Sequence, residues 1–260
     1  MKLLNQLTPS LRCLAFFFAL GIPLALPTFI SAFDRTPTAV IPVPQGMSWW
    51  TTRHEHTLAR IHQGDVDLLM IGDSIMQRWS NEGRYIWNSY YGHRRAVNLG
   101  FSGDRTEHVL WRLNHGEIDG IAPKLAVVMI GTNNTGARRD PPEETAAGIQ
   151  AILSTLRTGL PDTKILLLGV FPRGASADDP FRLVTVAINN LVRTYADNRQ
   201  IFFLDLSPLF LDHQGRLSRH LMPDYLHPNE QGYQVWADGM EDMLTRLWGE
   251  QRQRDKRKEG

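Results

Sequence analysis

Five short apolar runs punctuate the chain, and each stops at a glycine or a small polar cluster. Residues 66–71 end at Gly72, a second run breaks into the glycine-bearing stretch 96–104, and 125–130 ends at Gly131-Thr132-Asn133-Asn134. Two more, 165–170 and 201–206, follow the same pattern. Runs that are mostly apolar, without alternation, predict strands buried on both faces of a parallel sheet. The intervening segments have helical spacing instead. Leu58 and Ile61 share a face in 49–62, and Trp79, Ile86 and Trp87 share one in 76–91. Val109, Leu110 and Leu113 continue the pattern, as do 141–160, opened by Pro142, Glu143 and Glu144, and 181–195. The last helix carries Tyr233, Trp236, Met240, Met243, Leu244 and Leu247 on one side, with Pro228 suited to its first turn. Strand and helix thus alternate five times, with crossovers long enough for parallel pairing, so the expected fold is a three-layer α/β/α sandwich. No repeat of the length used by solenoids is present.

The ends read differently. Lys2 and Arg12 precede an apolar run at 14–26, followed by the small residues Ser31 and Ala32. That is the pattern of a secretory signal cut after Ala32, and residues 1–32 are assigned to it. The competing assignment is a retained anchor over 14–30, weakened by Pro23 and Pro27. Residues 33–46, with Pro37, Pro42 and Pro44, are expected to be a linker or extended lead-in. Residues 47–249 then form one catalytic domain, and 250–260, charged and without an apolar side chain, a solvated tail. The single cysteine, Cys13, falls in the leader, so a cleaved chain has neither disulfide nor thiol chemistry. A net charge of +1 gives no reason to expect a nucleic-acid partner.

The candidate chemistry lies where the strands end. Ser74 follows the first run, at the sheet edge where open α/β folds place ligands; alone, it could simply cap the helix starting near Ile75. Gly103 sits in a loop whose glycines permit close approach of a backbone amide to a ligand, although an ordinary turn with Asp104 capping the next helix explains it locally. Asn133 is a turn residue or an amide donor. His227 is one of nine histidines, distinguished by Asp224 three residues earlier, whose carboxylate can fold back and fix the ring tautomer. A hydroxyl needs a base to become a nucleophile, and acyl transfer needs donors aimed at an oxyanion. Ser74, His227 and Asp224 meet the first need; the amides of Ser74 and Gly103 with the Asn133 side chain meet the second. Trp49 and Trp50 either cover such a site, stack on a sugar, or pack. His54-Glu55-His56 does not have the spacing of a zinc protease helix.

Gly72-Asp73-Ser74, Gly103 in its loop, Gly131-Thr132-Asn133-Asn134, and Asp224-Tyr225-Leu226-His227 resemble the four ordered blocks of the SGNH, or GDSL, hydrolases. Within that superfamily the chain is most similar to the catalytic subunits of platelet-activating factor acetylhydrolase, across roughly 47–248. The resemblance implies a flavodoxin-like fold with a five-stranded parallel sheet and an esterase that uses no metal and no cofactor. By position it implies Ser74 as nucleophile, His227 as base and then acid, Asp224 as its orienting partner, Ser74, Gly103 and Asn133 as oxyanion hole, and Asp73 as a turn-holding residue. The expected substrates are small-molecule, lipid or polysaccharide acyl esters, acetyl esters foremost. Longer acyl chains, or a non-catalytic glycan- or partner-binding module on the same fold, are the alternatives. The resembled subunits are cytosolic, whereas the leader points to export, periplasmic or extracellular, with membrane attachment if it is retained.

Overall fold

The structure, a computed structural model, describes residues 36–249. The signal, anchor and charged-tail expectations lie outside the described residues. Five strands, β1 (Leu68–Gly72), β2 (Ala96–Gly100), β3 (Leu125–Met129), β4 (Lys164–Leu168) and β5 (Ile201–Leu204), form one parallel sheet in the order β2-β1-β3-β4-β5. That is the flavodoxin-like order, and its switch point falls between β1 and β3. β5 stops short of the expected 206 because the Asp205 carboxylate takes the N–H of Ser207 and turns the chain.

Seven helices cover the sheet: α1 (Ser48–His62), α2 (Ser74–Gln77), α3 (Arg84–Tyr90), α4 (Thr106–Arg112), α5 (Pro142–Gly159), α6 (Pro180–Val192) and α7 (Glu230–Trp248). Alternate strand residues face opposite layers, as the pleat requires. Leu69, Ile71, Leu99, Val128 and Leu167 pack against residues of α1, α4, α5 and α6. Leu68, Met70, Val127, Leu166 and Leu168 pack against α2, α3 and α7. The three layers are therefore two separate cores sharing one sheet, which is why the runs contain almost no polar position.

Two expectations change. The segment 76–91 is not one helix but α2, a 3-10 turn (Arg78–Ser80) and α3. The break lets Trp79 turn inward, where its ring lies 4.5 Å from Tyr233 and 5.0 Å from Trp236. The proline-rich lead-in is also seated rather than free: Ala39 is fully buried, its carbonyl accepts from Thr106 Oγ1 at 2.9 Å, and Val43 N–H donates to the carbonyl of Glu107. Prolines hold such a segment extended before it docks, so laying it across α4 costs little entropy.

β1 and β2 run in register from Leu68 beside Ala96 to Gly72 beside Gly100, and α2 closes directly over this pair. A Cβ on Gly100 would stand 2.2 Å from the backbone nitrogen of Gln77. Gly100→Ala is accordingly expected to cost roughly 3 kcal/mol or more by overpacking against backbone, a fall in Tm of about 6–12 °C. Gly92→Ala, where nothing lies within 4 Å, should change Tm little; thermal unfolding of both variants checks the contrast.

Candidate active site

Ser74 opens α2 immediately past the β1 carboxyl end. Its role is not to cap: Asp73 is the N-cap, and its Oδ1 accepts from Ile75 N–H at 2.9 Å. Burial pushes the Asp73 carboxyl up to about 7, against the pull of that N–H.

The Ser74 hydroxyl lies 3.0 Å from His227 Nε2, and His227 Nδ1 lies 2.7 Å from Asp224 Oδ2. A carboxylate only accepts, so the contact places the ring proton on Nδ1 and leaves Nε2 free to accept from Ser74. The same aspartate holds its own loop: Oδ1 accepts the N–H groups of His227 at 2.8 Å and Leu226 at 3.1 Å, around Tyr225 at φ +57°. Burial alone would raise the Asp224 carboxyl, but the N–H and ring of His227 and the N–H of Leu226 outweigh it and hold it below the usual carboxylate value. The imidazole is mostly covered, with 15% of its side chain exposed, whereas 52% of the Asp224 side chain is exposed.

α7 brings this loop to Ser74. Its cap is Asn229, whose Oδ1 accepts from Gly232 N–H, so the helix starts at Glu230 and Pro228 precedes the cap instead of entering the first turn. One turn on, the Tyr233 hydroxyl donates to the carbonyl of Ile75 at 2.6 Å.

The loops after β2 and β3 complete the edge. Gly103 adopts φ +76°, a conformation glycine takes without strain. Asn133 Nδ2 donates to the carbonyl of Asp104 at 2.9 Å. Its neighbour Asn134 is buried and ties Thr106 to Asp140, a purely structural task. Ser74, Gly103 and Asn133 thus stand on the segments that leave three adjacent strands, with His227 bonded to the first of them. Among the described residues, no group of three His, Cys, Asp or Glu is arranged to hold a metal ion.

Asp104 is a correction. Arg105, not Asp104, caps α4, with the His108 ring accepting the Arg105 N–H at 3.1 Å. The Asp104 carboxylate turns inward, where Trp50 Nε1 donates to Oδ1 at 2.7 Å and Arg112 Nε to Oδ2 at 2.9 Å. Arg112 also pairs with Glu117 and donates to the carbonyl of Leu99. Reading the sequence missed this buried cluster; its one signal was an arginine at i+8 from Asp104, facing inward on an apolar helix. The two tryptophans part company: Trp50 is buried in this cluster, while Trp49 is partly exposed and lines an open groove with Arg53, His56 and Trp87.

Serine, histidine and aspartate thus stand in hydrogen-bonded sequence at the carboxyl edge of a parallel sheet, and residues 70–235 match the model of the GDSL-like lipase/acylhydrolase family. The chain belongs to that family and is a carboxylic ester hydrolase. It is 36% identical over 212 residues to the platelet-activating factor acetylhydrolase IB subunit alpha1 of Bos taurus, covering 81% of this chain and 88% of that protein. Among solved structures it resembles a GDSL-like lipase from Bacteroides thetaiotaomicron, with TM-score 0.60, 18% identity, and coverage of 75% of this chain and 97% of the other. It also resembles the acetylxylan esterase Axe2 of Geobacillus stearothermophilus, with TM-score 0.57, 21% identity, and coverage of 72% and 96%. At those identities the two structures speak for the fold.

Asp73 supplies a prediction. A carboxyl whose folded pKa stands near 7 and whose unfolded value is 3.8 binds more protons folded than unfolded between those limits, so stability falls as pH rises through that window. Asp73→Asn keeps an acceptor for Ile75 N–H and removes the ionisation. The variant should therefore gain on wild type by up to a few kcal/mol as pH rises from 4 to 7. Parallel Tm-against-pH curves for the two proteins would refute the assignment.

Proposed function

We propose that this protein is an exported serine esterase that removes short acyl groups, acetyl foremost, from a saccharide or lipid ester. The observation that carries the reading is the chain of two hydrogen bonds from Ser74 through His227 to Asp224, at 3.0 and 2.7 Å. In this mechanism His227 Nε2 takes the hydroxyl proton as Ser74 Oγ attacks the ester carbonyl. Asp224 stabilises the imidazolium that results. The negative oxygen of the tetrahedral intermediate is received by the amides of Ser74 and Gly103 and by the Asn133 side chain. His227 then returns its proton to the leaving alcohol, and water repeats the sequence on the acyl-enzyme.

The preference for acetyl rests on the named activities of the similar proteins, an acetylhydrolase subunit and an acetylxylan esterase. Export rests on the leader at 1–32.

Ser74→Ala is expected to lower p-nitrophenyl acetate turnover roughly 10⁴-fold or more while leaving Tm near that of wild type. Activity retained by that variant would remove Ser74 from the mechanism. Wild-type turnover should favour p-nitrophenyl acetate over the palmitate ester by at least an order of magnitude in kcat/KM; the reverse order would assign a long-chain hydrolase, and no turnover of either a binding module. For export, the full-length chain expressed in a bacterium should be recovered outside the cytoplasm with Phe33 at its amino terminus. Cytoplasmic recovery with the leader intact would overturn it.

A further inference from the structure

Asn133 poses a problem that its position alone does not solve. A side-chain amide offers a carbonyl on one side and an NH2 on the other, and rotation by half a turn exchanges them. An oxyanion is stabilised only by the nitrogen end. What selects that end here is the backbone carbonyl of Asp104, an acceptor only, to which Nδ2 donates at 2.9 Å. The second N–H of the same nitrogen makes no bond among the described residues. The orientation of Asn133 thus depends on where the Asp104 carbonyl points, and Asp104 follows Gly103, at φ +76°.

The segment entering the domain holds that loop in place. Gln45 Nε2 donates to the carbonyl of Ser102 at 3.0 Å and to Asp104 Oδ1 at 3.2 Å, so one amide group bridges the residues on either side of Gly103. Trp50 Nε1 donates to the same Oδ1 at 2.7 Å. Arg53 Nε donates to the carbonyl of Gly100 at 2.8 Å. Three side chains within 45–53 therefore grip Gly100, Ser102 and Asp104, alternate residues of the loop. The matched family region begins only at residue 70, so this grip comes from outside it. On the far side Arg112 Nε secures Oδ2, so the Asp104 carboxylate is held from both directions.

We propose that Trp50 and Gln45 are positioning residues for the oxyanion hole: by fixing Asp104 on one side of Gly103 and Ser102 on the other, they make the Asn133 amide face the reacting oxygen nitrogen first. The inference rests on the esterase reading above. Among the described residues neither bonds Ser74, His227 or Asn133; their bonds go to Ser102 and Asp104. The segment that leads into the domain is then a working part of the site, and Trp50 belongs there for its N–H as well as its ring.

Trp50→Phe removes the N–H and keeps an aromatic ring for the stacking on His54 and the tilted contact with Phe101. In the full-length chain, with active sites counted by the end point of fluorophosphonate labelling, kcat for p-nitrophenyl acetate should fall roughly ten-fold with KM within two-fold. That is less than the ~10²–10³ expected for deleting the donor itself in Asn133→Ala. Gln45→Ala should act in the same direction, independently of any fault in packing Phe at position 50. The decisive readout is the double-mutant cycle: in an Asn133→Ala background, Trp50→Phe should cost clearly less in kcat than in wild type, because the side-chain amide it orients is gone and only the Gly103 N–H remains to be displaced. An equal fall in both backgrounds, or wild-type kcat in both Trp50→Phe and Gln45→Ala, overturns the proposal. Turnover that survives Ser74→Ala sinks the Ser74 mechanism on which the inference rests, whereas these outcomes with Ser74→Ala inactive sink the positioning role alone.

Discussion

The hydrogen bond from the Tyr233 hydroxyl to the carbonyl of Ile75 is the contact on which the arrangement of the site depends. Ser74 follows β1, in the interior of the sheet, while His227 comes after β5 at its edge, with β3 and β4 between them. The chain recovers that separation by laying α7 back across the sheet. Tyr233, Trp236, Met240, Leu244 and Leu247 are all buried along one side of the helix, and at about 1.5–3 kcal/mol for each large apolar side chain, this stripe supplies the adhesion. Adhesion alone does not set rotation, since an apolar face tolerates sliding. The hydroxyl does: left without its acceptor in this core it would cost about 1–3 kcal/mol. It therefore pins the first turns of α7 to the first turn of α2, and the loop that carries His227 has little choice of where to stand.

The opposite wall of the site is organised by charge rather than by apolar area. Asp104, Arg112 and Glu117 are fully buried, with His54 Nδ1 3.1 Å from Glu117. Such clusters contribute little net stability, because desolvation consumes most of the attraction. They are directional, however. Each carboxylate oxygen of Asp104 has a donor of its own, and Arg112 spends its remaining groups on Glu117 and on the Leu99 carbonyl at the end of β2. The loop that bears Gly103 is thereby tied to a strand end on one side and to α4 on the other. The price in desolvation secures geometry that a greasy loop would not keep.

The same distinction explains what the sequence made legible. Strands β1 to β5 announced themselves because a strand buried on both faces has no room for polar residues. Three of the four motif blocks stood out because glycines, a serine and an asparagine interrupt those runs at their carboxyl ends, and the fourth because Asp224 precedes His227 by three residues. Other features depend on partners remote in sequence. Nothing local to Asp104 says that Trp50 and Arg112 claim its carboxylate and leave the cap of α4 to Arg105. Nothing local to Pro37, Pro42 and Pro44 says that Ala39 fits under α4, and the break between α2 and α3 follows from the need of Trp79 to reach Tyr233 and Trp236. Propensity and periodicity report the near neighbours of a residue, and each of these misreadings was decided by a distant one.

Locality also divides the two bonds of the relay. The Asp224–His227 contact closes within three residues, and the carboxylate that orients the ring also receives the N–H groups of His227 and Leu226. That unit closes within its own loop, through a left-handed Tyr225, and Tyr225 and Leu226 seat it against the core, with the Tyr225 carbonyl accepting from Gly174 N–H at 3.1 Å. The Ser74–His227 contact spans 153 positions and has no local support at all. A shift of α7 by a fraction of an ångström would leave the carboxylate and imidazole paired and would lengthen only the bond to the hydroxyl. Asp224 therefore fixes the ring within its loop, while the length of the Ser74–His227 bond is set by the packing of aromatic residues behind it, chiefly Trp79, Tyr233 and Trp236.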